Sequence, residues 1–257
     1  MGKFSGILIC SDFDGTLAHH GEIPAINFQK IKYFCDNGGN FSIITGRRGA
    51  YFDKFKGALC IDTYMGYTNG TVIRRFPSGE TVICDYVRDD VFKGVISLCD
   101  KFDKIKNIDL YPDDEPICFE GSAAQIKKLL EGAQNIKIHK FLMRTLTQVT
   151  DEDVELIRAH MGAGCAVSRS WEFGIEFQNG NFHKGVAARR IAELLGAKTL
   201  ITVGDYENDV PLLMAGDESY ASQNALDSVK AVAGCVLTRT SGDGAIAELI
   251  DILDKRI

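Results

Sequence analysis

Two aspartates two residues apart close the first apolar run of this 257-residue chain, in Ile7-Leu8-Ile9-Cys10-Ser11-Asp12-Phe13-Asp14-Gly15-Thr16. Extended backbone sends residues i and i+2 to the same side. Both carboxylates are therefore expected to leave the carboxyl end of a strand into one space. Like charges held that close need a cation, a shared proton or solvent. A hard cation with oxygen ligands, such as Mg2+, meets that need. One such carboxylate can attack phosphorus while its neighbour carries a proton. Surface loops also produce Asp-x-Asp, so position matters: open parallel sheets bind their ligands outside the carboxyl ends of the strands.

Three later stretches could complete such a site. Phe41-Ser42-Ile43-Ile44-Thr45-Gly46-Arg47 is a buried strand ending in a hydroxyl and a glycine. The Thr45 hydroxyl and the approachable Gly46 backbone suit a phosphate oxygen, although Thr45 would also serve as a plain helix cap. Lys184 opens a helix in Phe182-His183-Lys184-Gly185. It is a compact cation on a long stem, able to neutralise an anion or to sit in solvent. Val203-Gly204-Asp205-Tyr206-Glu207-Asn208-Asp209 again ends a strand in an aspartate, with Asn208 and Asp209 at a helix start. Acidic residues there also occur as simple caps.

The elements that must position these groups alternate between strand and helix. Strands are expected at 6–10, 40–45 and 60–67, with a helix over 24–36 and a further helical stretch after Arg48. Such units imply a parallel sheet with right-handed crossovers. After Asn69-Gly70 the texture changes to a hairpin, 71–76 and 80–86 around Pro77-Ser78-Gly79. Helices follow near 89–102, 123–130 and 151–160, with strands near 108–111, 116–120, 136–141, 166–171 and 174–178. From His183 the strand–helix alternation resumes, with helices over 184–195, 207–215, 225–233 and 245–253 and a strand over 199–203. The expected organisation is an α/β core of residues 1–70 and 182–257 interrupted by an α+β module, 71–181. Two chain crossings between the modules make a hinge natural.

The motifs, in order, resemble those of the haloacid dehalogenase (HAD) superfamily. Asp12-Phe13-Asp14-Gly15-Thr16 resembles its first motif, Thr45 its second, Lys184 its third, and Gly204-Asp205-Tyr206-Glu207-Asn208-Asp209 its fourth. Only about 30 residues separate Asp14 from Thr45, whereas well over 100 separate Arg47 from Lys184. That layout resembles the type IIB, or Cof-like, subgroup, as do Thr68-Asn69-Gly70-Thr71 and Ser241-Gly242-Asp243-Gly244. The resemblance implies a Rossmann-like parallel-sheet core with an inserted α+β cap of type C2B. It also implies Mg2+-dependent hydrolysis of small phosphomonoesters, sugar phosphates first, through an aspartyl-phosphate. Asp12 would be the nucleophile and Asp14 the acid and base. The phosphoryl oxygens would be held by the Phe13 and Gly46 backbone, Thr45, Lys184 and Asn208. Mg2+ would rest on Asp12, the Asp14 carbonyl and Asp205, with Asp209 a ligand or a support. A sugar phosphotransferase or phosphomutase of the same superfamily is the nearest alternative. A receiver-like phospho-acceptor module is more remote.

The remaining composition bounds the reading. A formal charge of −6 argues against nucleic-acid or anionic-membrane partners and leaves a small phosphorylated metabolite open. Eight scattered cysteines without zinc spacing read as reduced thiols in apolar runs, consistent with a cytoplasmic protein. Neither a signal peptide nor a membrane-spanning run is visible. His19, His20, His139, His160 and His183 show no metal-type pairing and are expected at the surface or at the hinge.

Overall fold

The computed structural model describes residues 2–59, 61–113 and 115–256. The chain divides into two compact units, residues 1–84 with 183–257, and residues 85–182.

The first unit begins with β1 (Ile7–Ser11), α1 (Ala25–Asp36) and β2 (Asn40–Ile43), followed by a 3-10 helix, Gly49–Phe55. Next come β3 (Thr63–Tyr67), β4 (Val72–Phe76) and β5 (Thr81–Cys84). The second unit contains α2 (Asp89–Leu98), β6 (Ile105–Tyr111), β7 (Ile117–Glu120), α3 (Ala123–Gly132), β8 (Lys140–Thr145), α4 (Asp151–Met161), β9 (Cys165–Trp171) and β10 (Gly174–Asn179). The first unit then resumes with α5 (Lys184–Leu195), β11 (Thr199–Gly204), a 3-10 turn Glu207–Asp209, α6 (Val210–Ala215), β12 (Glu218–Ala221), α7 (Asp227–Lys230), β13 (Cys235–Val236) and α8 (Ala245–Arg256).

In the first unit the five strands run β13-β12-β11-β1-β2, all parallel. A parallel strand at the centre is buried on both faces, and β1 follows that rule. Ile9 packs with Phe4, Ile31, Leu249 and Ile250 in the cluster around α1 and α8. Leu8 and Cys10 point the other way, to Ala187, Ala188, Ile191 and Leu212 of α5 and α6. β1 therefore has one permitted register, and its carboxyl end is fixed by packing on both sides.

The expected third parallel strand behaves differently. Cys60, its expected first residue, lies outside the described residues. The remainder, β3, pairs antiparallel with β4, and β4 with β5, in a separate three-stranded sheet. It joins the parallel sheet through one bridge, Ile44 to Gly66, with Thr45 N–H donating to the Gly66 carbonyl at 2.9 Å. The hairpin expected to open the insertion is thus tied to the first unit through β3. The boundary falls after Cys84, not after Gly70, and again after Phe182.

The second unit is a five-stranded antiparallel sheet, β7-β6-β8-β10-β9. Ile108, Leu110, Phe141, Met143, Ile175 and Phe177 point to α2, α3 and α4 and form its core. The alternate residues, including Asp109, Lys140, Arg144 and Glu176, form the other face. There Lys140 pairs with Glu176 and Arg144 with Asp109. β8 lies at 140–145, beyond the 136–141 expected for it, because its ladders to β6 and β10 set its position.

His139 corrects the expectation of surface or hinge histidines: it is buried, its Nδ1 2.7 Å from the Asp85 carbonyl oxygen and its ring stacked on Tyr86. Among the described cysteines Cys10, Cys99 and Cys165 are buried. Cys84, Cys118 and Cys235 are exposed, so the apolar-core reading holds for only part of the set. No helix among the described residues is long and apolar enough to cross a membrane.

Candidate active site

Asp12, Thr45 and Asp205 each follow the carboxyl end of a parallel strand, β1, β2 and β11, and Lys184 is the first residue of α5. Asp12 extends the ladder by one bond, its N–H donating to the Val203 carbonyl at 3.0 Å. Lys184 is the centre of the arrangement. Its Nζ donates to Asp12 Oδ1 and to Asp209 Oδ1, both at 2.6 Å. All three side chains are buried, Lys184 at 2% exposure. The lysine is thus no solvated surface charge. His183 caps the helix that presents it, its ring nitrogen accepting from Val186 N–H at 3.3 Å. Gly185, next to it, lies so close to α6 that a Cβ would stand 2.1 Å from the Pro211 carbonyl oxygen.

Asp209 fixes the loop after β11. Its Oδ2 accepts from the backbone N–H of Asp205 at 3.0 Å and of Tyr206 at 3.1 Å. The helix expected over 207–215 is consequently broken into a 3-10 turn, which carries half-buried Asn208, and α6. Both Asp209 oxygens are engaged by protein donors, which suits a support for the loop. Asp205 Oδ1 accepts from the Thr16 hydroxyl at 2.7 Å.

Asp12 and Asp14, two residues apart, lie in different surroundings. β1 ends at Ser11 and the chain turns, with Gly15 N–H donating to the Ala18 carbonyl and Ala18 N–H to that of Phe13. Asp12 is buried, whereas exposed Asp14 takes both donors of a guanidinium, Arg47 Nε at 2.6 Å and Nη2 at 2.7 Å. Arg47 lies 3.9 Å over the Tyr51 ring. Phe13, between the two aspartates, is buried against Tyr51, Phe52 and Phe55 and anchors the turn.

Arg47 and Thr16 are the polar contacts that sequence reasoning missed. Arg47 directly follows Thr45-Gly46, and a fork-shaped donor beside a carboxylate was the available signal. The Thr45 hydroxyl accepts from Arg47 N–H at 3.1 Å. Thr68 N–H and Asn69 N–H donate to the Arg47 and Thr45 carbonyls at 3.0 and 2.8 Å, so the 68–71 motif braces this loop. The 241–244 motif acts through Asn224, which accepts from Ser241 N–H at 2.7 Å and donates to the Gly15 carbonyl at 2.8 Å.

The charge balance of the cluster fits a divalent cation. Carboxylate oxygens of Asp12, Asp205 and Asp209 all lie within 4.8 Å of one another. Lys184 is the one cation hydrogen-bonded to this trio among the described residues. Three buried carboxylates facing one ammonium leave an excess of negative charge. Burial, followed by the neighbouring aspartates, pushes Asp12 well above the usual carboxylate range. Burial and the Asp209 charge push Asp205 up to about 7. Lys184 is held charged by Asp12 and Asp209 against the cost of burial. Hard oxygen donors with surplus negative charge are the chemistry that Mg2+ takes.

The sign of the resulting pH effect is fixed. A carboxyl whose folded pKa lies above its unfolded one binds more protons in the fold, so the metal-free fold loses stability as pH rises through that window. For Asp205 the window runs from 3.8 to about 7. Mg2+ bound by these carboxylates would compete with those protons. The rise in melting temperature on adding Mg2+ is therefore expected to be larger at pH 8 than at pH 5. Tenfold tighter binding corresponds to about 1.4 kcal/mol, or roughly 3–6 °C for a chain this size. Equal gains at both pH values would show that these carboxylates do not compete with protons for the metal.

Gly15 makes a second test. Its φ is +84°, and a Cβ there would stand 2.2 Å from Asp205 Oδ2. Gly15→Ala is expected to push Asp205 from its place and weaken Mg2+ binding at least about tenfold, on top of a backbone strain of roughly 1–2 kcal/mol. A Mg2+ titration read by calorimetry checks this, with unchanged affinity the contrary result.

Comparisons with known proteins bear on the family and the fold. A phosphoglycolate phosphatase of Methanosarcina acetivorans is 27% identical over 114 residues, 44% of this chain. The match spans 45% of that protein, less than half of its length. Among solved structures, a phosphatase of the haloalkanoate (HAD) superfamily from Bacteroides thetaiotaomicron superposes with a TM-score of 0.81 at 18% identity, covering 98% of this chain and 97% of that one. The HAD subclass IIB sugar phosphatase BT4131 does so with a TM-score of 0.81 at 18% identity, covering 96% and 98%. These two establish the fold: a Rossmann-like parallel core interrupted by an α+β unit. The sequence profile of the haloacid dehalogenase-like hydrolases matches residues 9–250, and the chain belongs to that family.

Proposed function

We propose that this protein is a Mg2+-dependent phosphatase of small phosphomonoesters, sugar phosphates first, acting through an aspartyl-phosphate on Asp12. The observation that carries this reading is the buried Lys184 ammonium bound to both Asp12 and Asp209, beside Asp205, at the carboxyl edge of a parallel sheet. The ammonium opposes the burial and the neighbouring aspartates that push Asp12 upward and faces the charge that gathers on a transferring phosphoryl group. Asp12, the Asp14 carbonyl and Asp205 would hold Mg2+, with Asp209 bracing the loop. The metal, when bound, neutralises the phosphate so that an anionic nucleophile can approach it.

In the first half-reaction an Asp12 carboxylate oxygen forms a bond to phosphorus as the ester P–O bond breaks. Asp14 gives its proton to the departing alkoxide. In the second, Asp14 takes a proton from water, whose oxygen attacks phosphorus. The acyl-phosphate P–O bond breaks, releasing inorganic phosphate and Asp12. Thr45, the Gly46 and Phe13 backbone, Lys184 and Asn208 hold the phosphoryl oxygens. Both Asp14 oxygens accept from Arg47, and each keeps a second lone pair for the proton it would carry. The second unit takes the role of the cap in this reading.

The test is phosphate release from a panel of phosphorylated metabolites with Mg2+ and with EDTA. Phosphoglycolate belongs in the panel beside sugar phosphates, given the Methanosarcina relative. Sugar phosphate consumed only when a second sugar is present, its phosphoryl group passing to that sugar with no release of phosphate, would favour a phosphotransferase. A long-lived phosphoenzyme without turnover would favour a phospho-acceptor module. Release in EDTA equal to that in Mg2+ would overturn the metal role.

A further inference from the structure

Strand β4 carries an arginine where its pattern calls for an apolar residue. Val72 and Phe76 point into the core of the first unit, at 3% and 2% exposure. Arg74, between them, shares their face because alternate strand residues do. It stands opposite buried Met65 in the β3 ladder. A guanidinium in that row needs compensation. Among the described residues, the Arg74 Nε is buried with no hydrogen-bond partner.

The space in front of Arg74 is a pocket of about 270 Å3. Its walls come from the first unit alone and include Gly49, Asp53, Lys56, Tyr67 and Arg75. Three of the lining side chains are cationic and one is anionic. Lys56 is held by Asp53 at 2.7 Å, and Arg75 by Asp62 at 3.1 Å. Asp53 is thus engaged with Lys56, which leaves the pocket with a surplus of positive charge around Arg74. Burial pushes the Tyr67 phenol up to about 12, so it remains a proton donor at neutral pH. Among the described residues its hydroxyl donates to the weak acceptor Met65 Sδ, at 3.6 Å. Gly49 admits the guanidinium: a Cβ there would lie 3.3 Å from Arg74 Nη1.

We propose that this pocket is a binding site for a small dianionic oxyanion, a phosphoryl group or a dicarboxylate, held by the Arg74 fork with the Tyr67 hydroxyl and Lys56. The fork matches two oxygens of such a group. The occupant would bond the terminal nitrogens of the half-buried Arg74 guanidinium and offset the surplus charge. Gly49 lies two residues beyond Arg47, so the occupant would tie β4 to the segment that carries Arg47 and Thr45. The site is separate from the one that contains Asp12, and its existence does not depend on the reaction proposed there.

Calorimetric titration with sulfate and with malonate tests it on the full chain. Wild type is expected to bind at least one of them at millimolar concentration. Sulfate alone points to phosphoryl ligands and malonate alone to dicarboxylates. Arg74→Gln should weaken that binding at least tenfold, and Arg74→Lys should recover part of it. Neither change should alter hydrolysis of p-nitrophenyl phosphate in anion-free buffer by more than about twofold. A cooperative melt of each variant establishes that it is folded. Crystals soaked in selenate give a second measurement, with an anomalous peak expected beside Arg74. Wild-type affinity in a folded Arg74→Gln, no binding of either anion, or no peak at an ordered Arg74 would each overturn the proposal.

Discussion

Asp12→Asn is expected to lower phosphate release by at least about a thousandfold, as removing the nucleophile does in catalytic units that act together. The amide keeps the size of the side chain and can still lie beside Lys184, so the fold should survive. The variant should also fail to become labelled when quenched during turnover with radioactive phosphoester. Wild type should carry the label on Asp12. Label on any other residue, or loss of less than tenfold, would remove Asp12 from the nucleophile's role. Asp14 is the obvious competitor, but it is exposed and clasped by Arg47, while Asp12 is buried against the ammonium.

Lys184→Met is expected to produce the second large effect, on stability and on rate together. It removes the cation and leaves Asp12 and Asp209 buried beside Asp205. Removing one partner from a buried charge pair costs about 3–5 kcal/mol. Loss of a positioned electrostatic stabiliser lowers kcat by about 10²–10³-fold. The stability deficit should depend on pH with a defined sign. Burial already pushes Asp12 upward, and without the ammonium it is pushed further. The deficit should therefore be smaller at pH 5, where the carboxyls accept protons, and larger at pH 8. Thermal melts of both proteins at the two pH values, in EDTA, measure it. A deficit that does not change with pH would mean that lost packing of the lysine stem dominates.

The chemical groups were legible in the chain because each follows a buried apolar strand or opens a helix. Such positions are fixed by local pattern: Ile7 to Cys10 before Asp12, Leu200 to Val203 before Asp205, and a helix start at Lys184. What local pattern could not supply was pairing between distant segments. β3 was expected in the parallel sheet because its composition fits, but sheet membership is decided by hydrogen-bonding partners, and β4 is nearer in sequence. The same cause moved β8 from 136–141 to 140–145: Ile136 and Ile138 alternate well, yet the ladders to β6 and β10 begin later. The difference in exposure between Asp12 and Asp14 has a different origin. The two-residue rule holds only while the strand continues, and β1 stops one residue before Asp12. Arg47 escaped notice because a bidentate partner 33 positions away leaves no periodic trace.

The contact between Lys184 and Asp12 spans 172 positions of the chain. During synthesis from the amino terminus, β1 and β2 can meet while the rest is still being made. The other neighbour of β1, β11, follows only after the whole second unit. For that interval the nascent protein holds Asp12, the proposed nucleophile, with neither the ammonium nor the loop aspartates beside it. A chain released early, anywhere before Lys184, would thus carry the first motif and no reactivity toward phosphorus. The late segment acts as a proof of completeness: the proposed catalytic centre can assemble only on molecules whose synthesis has passed through both crossings.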